Sequence, residues 1–488
     1  MSRIIYYVLA FLLCAVISAK VRSRPIRLAT ILIASYALYL MWGVRFAAVL
    51  PASTAMNYLL GKWLRRNRSG AILFVGICLN LALLSAFKYL PEAAVHLPFS
   101  SLQRFAHLAL PLGISFWTFQ AMSYLFDVYQ GDDVDPSFFE FALYMVFFPV
   151  TISGPVCRMS EMLPQFRSES ATRWDDIAYG CRRIATGVLM MQLAKLLGQG
   201  ILAGDGIVSG FDRVANWSGP DVWCLAFGYG LQLFFDFAGY SHIAIGAARA
   251  LGFTIPENFA RPFESTSPSI FWTRWHMSLS FWIRDYVFFP LMRLRREAWW
   301  RNLSLLIAMV LFGLWHKASI LFLLWGTYHG LLLLLHRLVE GLQRRFDWTP
   351  PAIPWTVLSW VSTISLMNVG WIFFRTNSLH QAHQMLAAIL SPAAYEVHFL
   401  TGSLYWLVVA LAAGYAIVLF TADRIVRYST GGEDAQAVPA GSPTGPMVLL
   451  ARWRWFWLPP LYVLTLFFVW IITLSRGTSA AQMMYGNF

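Results

Sequence analysis

The chain has 488 residues, of which 58% are hydrophobic and only 12% are charged, and its mean hydropathy is +0.56. Soluble domains carry roughly 25% charged residues, so this composition excludes a soluble globular protein. The formal net charge is +13, but Lys and Arg lie in short clusters between apolar runs, which is the topology signal of a membrane protein and not a nucleic-acid-binding surface.

Apolar runs recur along the whole chain, and many approach the ~20 residues that a helix needs to cross a bilayer. They predict an all-α polytopic membrane protein that forms a single domain over residues 1–488, with about 11–12 transmembrane helices. The predicted spans are 4–19, 28–48, 71–90, 105–128, 139–153, 178–202, 221–250, 302–316, 319–336, 354–374, 399–421 and 455–474. The shorter pieces 49–63 and 270–291 are expected to be half-inserted. No internal repeat is visible, which disfavours transporter folds built from duplicated halves.

The basic clusters predict the orientation of the chain, because short cytoplasmic loops are enriched in Lys and Arg. The clusters are 20–27, 62–68, 293–301 and 337–345. With the first of them in the cytoplasm, the N-terminus faces outward, and the signal-like residues 1–19 become an uncleaved first helix because many spans follow. The Gly- and Pro-rich segment 429–446 predicts a flexible extramembrane loop.

The five cysteines lie in or next to apolar segments. They are Cys14, Cys78, Cys157, Cys181 and Cys224. They have neither CxxC spacing nor a His at metal-site distance, so the pattern predicts buried, unpaired thiols and no metal site.

Between residues 231 and 330, polar side chains occur inside apolar sequence. Asp236 lies in the predicted span 221–250, where a carboxylate facing lipid is costly; it is expected to face the bundle interior or to pair structurally with an Arg. His242 follows on the same span. The segment 270–291 carries Trp272, Arg274, Trp275, His276, Ser278, Trp282, Arg284, Asp285 and Tyr286. It predicts one amphipathic helix, either interfacial or with a functional inner face.

His316 can be placed from helix length. If 293–301 and 337–345 are both cytoplasmic, spans 302–316 and 319–336 form a hairpin with His316 and Lys317 at its apex. A first arm of about 15 residues climbs only about 22 Å, short of a core about 30 Å thick, so His316 is expected within the membrane, against protein or a water-filled cavity. The charge of Lys317 is expected to keep the imidazole neutral, as a general base requires.

Several motifs occur in a fixed order along most of the chain. They are Pro111-Leu112-Gly113-Ile114-Ser115-Phe116-Trp117, Phe147-Phe148-Pro149, Phe235-Asp236-Phe237-Ala238-Gly239-Tyr240-Ser241, Pro256-Glu257-Asn258-Phe259, Arg274-Trp275-His276, Trp282 with Arg284-Asp285-Tyr286, and Gly313-Leu314-Trp315-His316. This ordered set resembles the membrane-bound O-acyltransferase family, in particular its bacterial branch acting on alginate and teichoic acids. His242 and Lys317 depart from the family pattern, where Asp or Asn and Gly are usual.

The resemblance implies a ring of transmembrane helices around a central funnel, with His316 at the narrow point and His276 as the second catalytic position. Residues expected to line the tunnel are Asp236, Lys317, Trp315, Trp275, Arg284, Asp285, Tyr286 and His242. It also implies an acyl donor, either acyl-CoA such as acetyl-CoA or an acyl-carrier protein, on the cytoplasmic side of a bacterial inner membrane. No bound cofactor is expected. A periplasmic acetyltransferase of an export complex is the implied partner.

The implied reaction is O-acetylation of an exported, alginate-like polysaccharide; D-alanylation of teichoic acid or acylation of another envelope acceptor is the alternative within the family. His316 would act as the general base, and His276 or a backbone amide would stabilise the oxyanion. Two other classes fit the same polar residues: a transporter or flippase for a lipid-linked sugar or an ion, and a catalytically silent scaffold. The ordered motifs favour the enzyme.

Overall fold

The computed structural model describes residues 3–41, 46–96, 110–201, 205–212, 217–348 and 350–429. Across these residues the regular secondary structure is helical, which confirms the all-α class. The helices are α1 Arg3–Lys20, α2 Arg24–Leu40, α3 Val49–Arg66, α4 Gly70–Lys88, α5 Leu90–His96, α6 Ile114–Gln130, α7 Phe138–Val146, α8 Met159–Arg167, α9 Trp174–Gln199, α10 Ile207–Asp212, α11 Gly219–Ala250, α12 Pro268–Arg274, α13 Met277–Ile283, α14 Phe289–Arg293, α15 Ala298–His316, α16 Ile320–Arg345, α17 Ala352–Arg375, α18 Leu379–Leu390 and α19 Gly402–Ser429.

Six helices within the described ranges are long and apolar enough to cross a membrane. They are α4, α11, α15, α16, α17 and the Gly402–Thr421 part of α19. The polytopic membrane class is therefore confirmed, whereas the ring around a funnel stays a prediction. The predicted span 455–474 and all of the predicted loop after Ser429 lie outside the described residues.

Two shorter predictions need correction. The predicted span 139–153 contains only the nine-residue helix α7, because the chain turns at Phe147 and continues through turns around Pro149, which has no amide hydrogen to continue a helix. The piece 49–63 is longer than predicted, since it is part of the 18-residue helix α3; its half-insertion stays a prediction. Hydropathy alone does not show where a backbone turns.

All five cysteines are unpaired, as predicted, but only three are buried. Cys78 and Cys181 are exposed on α4 and α9. The prediction of burial is wrong for these two, because a thiol behaves as a small hydrophobe and an outward helix face next to lipid accepts it.

The chain divides into two compact units. Of the described residues, those within 3–188 and 237–374 form one unit, and those within 189–236 and 375–429 form the other. The single domain expected from the sequence stays a prediction. Both predicted catalytic histidines belong to the first unit.

An ion-pair network in the first unit joins the first two basic clusters. Glu140 accepts from Arg24 at 2.6 Å and from Arg167 at 3.2 Å. Arg167 also donates to the backbone carbonyl of Asp135 at 2.6 Å, and Lys62 pairs with the Asp135 carboxylate at 3.0 Å. Because Arg167 links the acidic partner of cluster 20–27 to that of cluster 62–68, the two clusters lie on the same side of this unit, as a shared cytoplasmic location requires.

Helices α15 and α16 form an antiparallel hairpin whose backbones touch. A Cβ at Gly313 would lie 2.2 Å from the carbonyl oxygen of Phe322, and one at Gly326 would lie 2.4 Å from that of Met309. Small residues allow this approach between membrane helices. The hairpin therefore holds the last turn of α15, with His316, against the first turns of α16.

The helix-length argument for His316 is wrong. Helix α15 begins at Ala298 and has 19 residues, so it rises about 28 Å and nearly matches the core thickness. Residues 298–301 are amphipathic, so hydropathy predicted a loop there, but they form the first turn of the helix. His316 is nevertheless only 3% exposed, because protein packing encloses it.

We expect Gly313→Ala and Gly326→Ala each to destabilise the hairpin by about 1–3 kcal/mol, since an added methyl group forces two backbones apart. The measurement is thermal unfolding of the purified protein in detergent. Gly341→Ala is the matched control, because it lies on α16 and its added Cβ would have no atom within 4 Å. Equal melting temperatures for all three variants would contradict the close packing.

Candidate active site

The backbone breaks at the first predicted catalytic position. Helix α12 ends at Arg274, and His276 adopts a left-handed conformation (φ 44°, ψ 50°) before α13 begins. A non-glycine residue in this region is strained, and such strain concentrates at functional sites. The prediction of one helix over 270–291 is therefore wrong.

The cause of the break is the polar loop before α12. Its Ala260 amide donates to the carbonyl of Arg274 at 3.0 Å, and its Asn258 carbonyl accepts from the Met277 amide at 2.9 Å. These loop groups replace the hydrogen bonds of a continuous helix. They also form the isolated β-bridge between Phe259 and Trp275.

The side chain of Asn258 orients His276. Both residues are buried, at 0% and 1% exposed. Asn258 Oδ1 lies 3.1 Å from His276 Nδ1 and accepts from the Ser278 amide at 3.3 Å and hydroxyl at 2.9 Å, while Nδ2 donates to Ser241 at 3.2 Å. With Oδ1 as the acceptor, the neutral ring carries its proton on Nδ1 and its lone pair on Nε2. The ring also meets Phe237 edge-to-face at 4.6 Å.

His316 ends α15 inside an aromatic cage. The cage consists of Trp315, Phe312, Phe374, Trp325 and Phe322, with ring centroids 4.7, 5.2, 5.2, 5.5 and 6.0 Å from that of His316. The cage shields the imidazole from bulk water and lipid. Trp371 packs between the two histidine positions: its ring centroid lies 5.0 Å from that of Trp275, the neighbour of His276, and 5.7 Å from that of Phe374 in the cage.

The cation packed next to this cage is Lys88. Its ammonium lies 4.7 Å from the ring centroid of Trp315. The following residue, Tyr89, donates through its hydroxyl to the carbonyls of Leu314 at 3.1 Å and Trp315 at 3.3 Å. Lys317, predicted to supply this charge, has an exposed side chain. The sequence pattern missed Lys88 because a Lys at the end of a span normally extends to the headgroups.

Arg284, Asp285 and Tyr286 lie on a π-helical turn, Arg284–Phe288. Asp285 forms a short ion pair with Arg158 and accepts from Arg284 at 2.7 Å. Burial by itself raises the pKa of the Asp285 carboxyl. Hydrogen bonds from Arg284 and Arg158 outweigh this effect and hold the pKa below its usual value. Tyr286 donates to Asp127 at 2.6 Å. These contacts tie the turn to α6 and to the loop before α8, which is a structural role.

The remaining predicted residues lie in three settings. Trp275 is 3% exposed and stacks on Phe271 at 5.5 Å. His242 is half-buried on α11, where the charge of Arg183 acts on it. Asp236 is also half-buried on α11 but belongs to the second compact unit.

A third buried histidine was missed by the sequence analysis. His329 on α16 is fully buried, and its ring lies 4.8 Å from that of Trp325, which also contacts His316. Gly370 makes room for it, because a Cβ there would lie 2.4 Å from His329 Nε2. Trp325 and His329 are one helical turn apart, and this spacing was the available signal in the sequence. The same spacing occurs on buried helix faces without a functional site, so it does not identify one.

A helical membrane unit that buries two histidines, one of them with a fixed tautomer, suits proton transfer during group transfer. Residues 59–376, which include both His276 and His316, match the model of the membrane-bound O-acyltransferase family. The chain belongs to this family. It is accordingly a multi-pass membrane acyltransferase.

Three relatives illustrate the similarity. The chain is 34% identical over 376 residues to the probable alginate O-acetylase of Pseudomonas putida, covering 74% of each chain. It is 30% identical over 397 residues to the peptidoglycan O-acetyltransferase of Helicobacter pylori, covering 74% of this chain and 73% of the relative. It is 28% identical over 282 residues to the teichoic acid D-alanyltransferase of Bacillus subtilis, covering 56% and 70%.

We expect Asn258→Ala to lower the acyl-transfer rate about 10- to 100-fold, because His276 loses the partner that fixes its ring and small misplacements of reacting groups are costly. Initial rates and melting temperatures would be measured together. Asn377→Ala, at an exposed position, is the control. A fully active Asn258→Ala enzyme would show that the amide does not orient a working His276.

Proposed function

We propose that this enzyme passes an acetyl group from a cytoplasmic thioester, acetyl-CoA or an acyl-carrier protein, across or within the membrane for O-acetylation of an exported, alginate-like polysaccharide. The observation that carries the proposal is the burial, in one helical unit, of His316 and of a His276 with a fixed tautomer. The acetyl group and the polysaccharide are supported by the 34% identity to a probable alginate O-acetylase over 74% of the chain.

In this reaction His316 acts as the general base. It accepts the proton of the attacking hydroxyl while the oxygen forms a C–O bond to the thioester carbonyl. The C–S bond then breaks, and His316 returns the proton to the leaving thiolate. His276 presents the lone pair of Nε2, so its neutral ring accepts a hydrogen bond there. Either His276 or a backbone amide was expected to stabilise the oxyanion by donating a hydrogen bond. Because Nε2 of His276 has no proton to donate in this tautomer, the backbone amide is favoured.

The orientation of α15 suits a donor on one side and an acceptor on the other. Its first four residues, 298–301, belong to the basic cluster 293–301, assigned to the cytoplasm, and His316 lies at the opposite end. A thioester carrier is too polar to cross the membrane, whereas a small acyl group need only pass the narrow part of the protein. We further propose the bacterial inner membrane as the location and a periplasmic acetyltransferase of an export complex as the partner that completes the modification.

The alternative acyl group for this enzyme is D-alanyl. The 28% identity to a teichoic acid D-alanyltransferase over 56% of the chain favours D-alanyl transfer as the alternative. A D-alanyl thioester supplied in place of the acetyl thioester separates the two. The preferred donor is the one with the larger kcat/KM.

We expect the purified protein in vesicles to release CoA from radiolabelled acetyl-CoA and to transfer the label to an oligosaccharide. His316→Ala should lower this rate at least about 10³-fold without a change in melting temperature, since general base catalysis contributes up to about 10⁴-fold. His336→Ala, on the same hairpin and in an ion pair with Glu340 at 3.3 Å, is the control.

Full activity of His316→Ala would reject the assigned role. Transfer of the acetyl group from an acyl-carrier thioester, with release of the carrier thiol, but no reaction of acetyl-CoA would change only the donor. Movement of an intact lipid-linked sugar across the vesicle without cleavage of the thioester would instead support transport.

A further inference from the structure

A small polar cavity lies where the turn between α1 and α2 meets the end of α8. Its volume is about 110 Å³, which corresponds to roughly three or four water molecules. Its walls include Ser18 near the end of α1, Arg24 and Arg27 in the first turn of α2, and Ser168 and Ser170 after α8. All of its lining residues belong to the first compact unit, and neither predicted catalytic histidine is among them. The cavity is therefore separate from the candidate active site.

The start of α2 concentrates positive charge at this cavity. The N-terminal end of a helix carries a partial positive charge, so acidic residues are favoured in its first turn. Helix α2 has no acidic residue there but has Arg24 and Arg27, and Ser23 at the N-cap makes no side-chain hydrogen bond. The helix end and both guanidinium groups therefore have the same sign, which favours an anion beside them.

The two arginines are held in place by groups at the end of α8 and by Glu140. Arg24 pairs with Glu140 at 2.6 Å, and Arg27 donates to the carbonyls of Ser170 at 2.6 Å and Ser168 at 3.3 Å. The C-terminal end of a helix attracts cations, so these bonds account for the position of the side chains. They use only two of the five N–H groups of Arg27, a residue that is 8% exposed. The remaining N–H groups are donors for a further acceptor.

Two buried hydroxyl groups at the cavity have no hydrogen-bond partner among the described residues. Ser18 lines the cavity and is 1% exposed. Thr172 is 8% exposed and lies beside Gly252, another lining residue, because a Cβ on Gly252 would be 2.7 Å from Thr172 Oγ1. A buried hydroxyl without a partner is unfavourable. Since a guanidinium group can only donate, a ligand that satisfies the hydroxyls and the arginines together is an oxyanion with several acceptor oxygens.

The surroundings of the cavity favour the phosphate of a lipid over a soluble phosphate. Helices α1 and α2 expose large apolar side chains, among them Leu12 and Val16 on α1 and Ile26 and Ile33 on α2. Such faces suit the acyl chains of a lipid. The cavity also lies at the basic cluster 20–27, which is assigned to the cytoplasmic side, where basic pockets between membrane helices bind anionic headgroups.

We propose that this cavity binds the phosphate of an anionic phospholipid from the cytoplasmic leaflet. Arg27 and the hydroxyl of Ser18 donate to the phosphate oxygens, and Arg24 adds positive charge while it keeps its ion pair with Glu140. The Glu140 carboxylate does not cancel this charge, because Arg167 also pairs with it at 3.2 Å. The lipid joins α1 and α2 to the end of α8 and thereby stabilises the first unit. It takes no part in acyl transfer, so the inference is independent of the proposed function.

The test measures lipid binding to the purified full-length protein in detergent. Native mass spectrometry counts bound lipids, and melting temperatures during titration with phosphatidylglycerol give a Kd, because a ligand of the folded state raises the melting temperature. Phosphatidylcholine, whose headgroup has a phosphate but no net charge, is the lipid control. Inorganic phosphate and CoA are the soluble phosphates. We expect phosphatidylglycerol to bind at least about 10-fold more tightly than phosphatidylcholine, since a charge-assisted hydrogen bond is worth that factor.

The variants separate lipid binding from folding. Arg27→Gln should raise the Kd about 10- to 100-fold, because hydrogen bonds from a charged donor are lost. Ser18→Ala should raise it about 2- to 10-fold without lowering the melting temperature in the absence of lipid, because its hydroxyl has no protein partner to lose. Arg22→Gln, exposed in the same cluster but not lining the cavity, and Ser304→Ala, a buried hydroxyl without a partner on α15, are the matched controls and should keep the wild-type Kd.

The outcomes that overturn the proposal are distinct. One is a Kd for phosphatidylglycerol that is unchanged in Ser18→Ala and in folded Arg27→Gln. Another is equal affinity of the wild-type protein for phosphatidylglycerol and phosphatidylcholine. If inorganic phosphate or CoA raises the melting temperature, if Ser18→Ala weakens this effect, and if phosphatidylglycerol has none, the cavity binds a soluble phosphate and the lipid is rejected. Because each readout is binding, an absence of acyl transfer in the purified protein would reject the proposed function and leave this inference standing.

Discussion

The backbone contact between α15 and α16 is the constraint on which the site depends. Two glycines, Gly313 and Gly326, bring the helices so close that no side chain fits between them. This contact gives His316 its aromatic neighbours on the facing helix, Phe322 and Trp325. Helices surrounded by lipid gain no hydrophobic free energy when they associate, so close van der Waals packing has to stabilise their association. Stability and the placement of the imidazole therefore have the same origin.

A second constraint acts on the other histidine. Backbone polar groups away from water need partners, and the loop around Asn258 supplies them where the chain leaves helical geometry. The same residue then fixes the ring of His276 through its side chain. One asparagine thus explains both the broken helix and the tautomer. The chemical consequence is that Nε2 of His276 is a hydrogen-bond acceptor.

Charge is distributed unequally across the first unit. The basic clusters near α1 to α4 are paired with Glu140 and Asp135, whereas the ammonium near His316 rests on an aromatic face. Paired charges on one side hold the helix ends together. Glu140 is itself buried, and its two arginine partners offset the cost of removing its carboxylate from water.

The amino-acid sequence by itself determined the helical membrane class, the position of most helices, and His276 and His316 as the residues of interest. Hydropathy and motif order are properties of the sequence itself, so they can be determined without any knowledge of contacts. The tertiary structure decided the break at His276, the full length of α15, and the presence of Lys88 and His329 near the cage. These features depend on partners far apart in the chain, such as Tyr89 and Leu314, which are separated by 225 positions. No local pattern reports such a pairing, because burial and hydrogen bonding at that distance are set only when the helices pack.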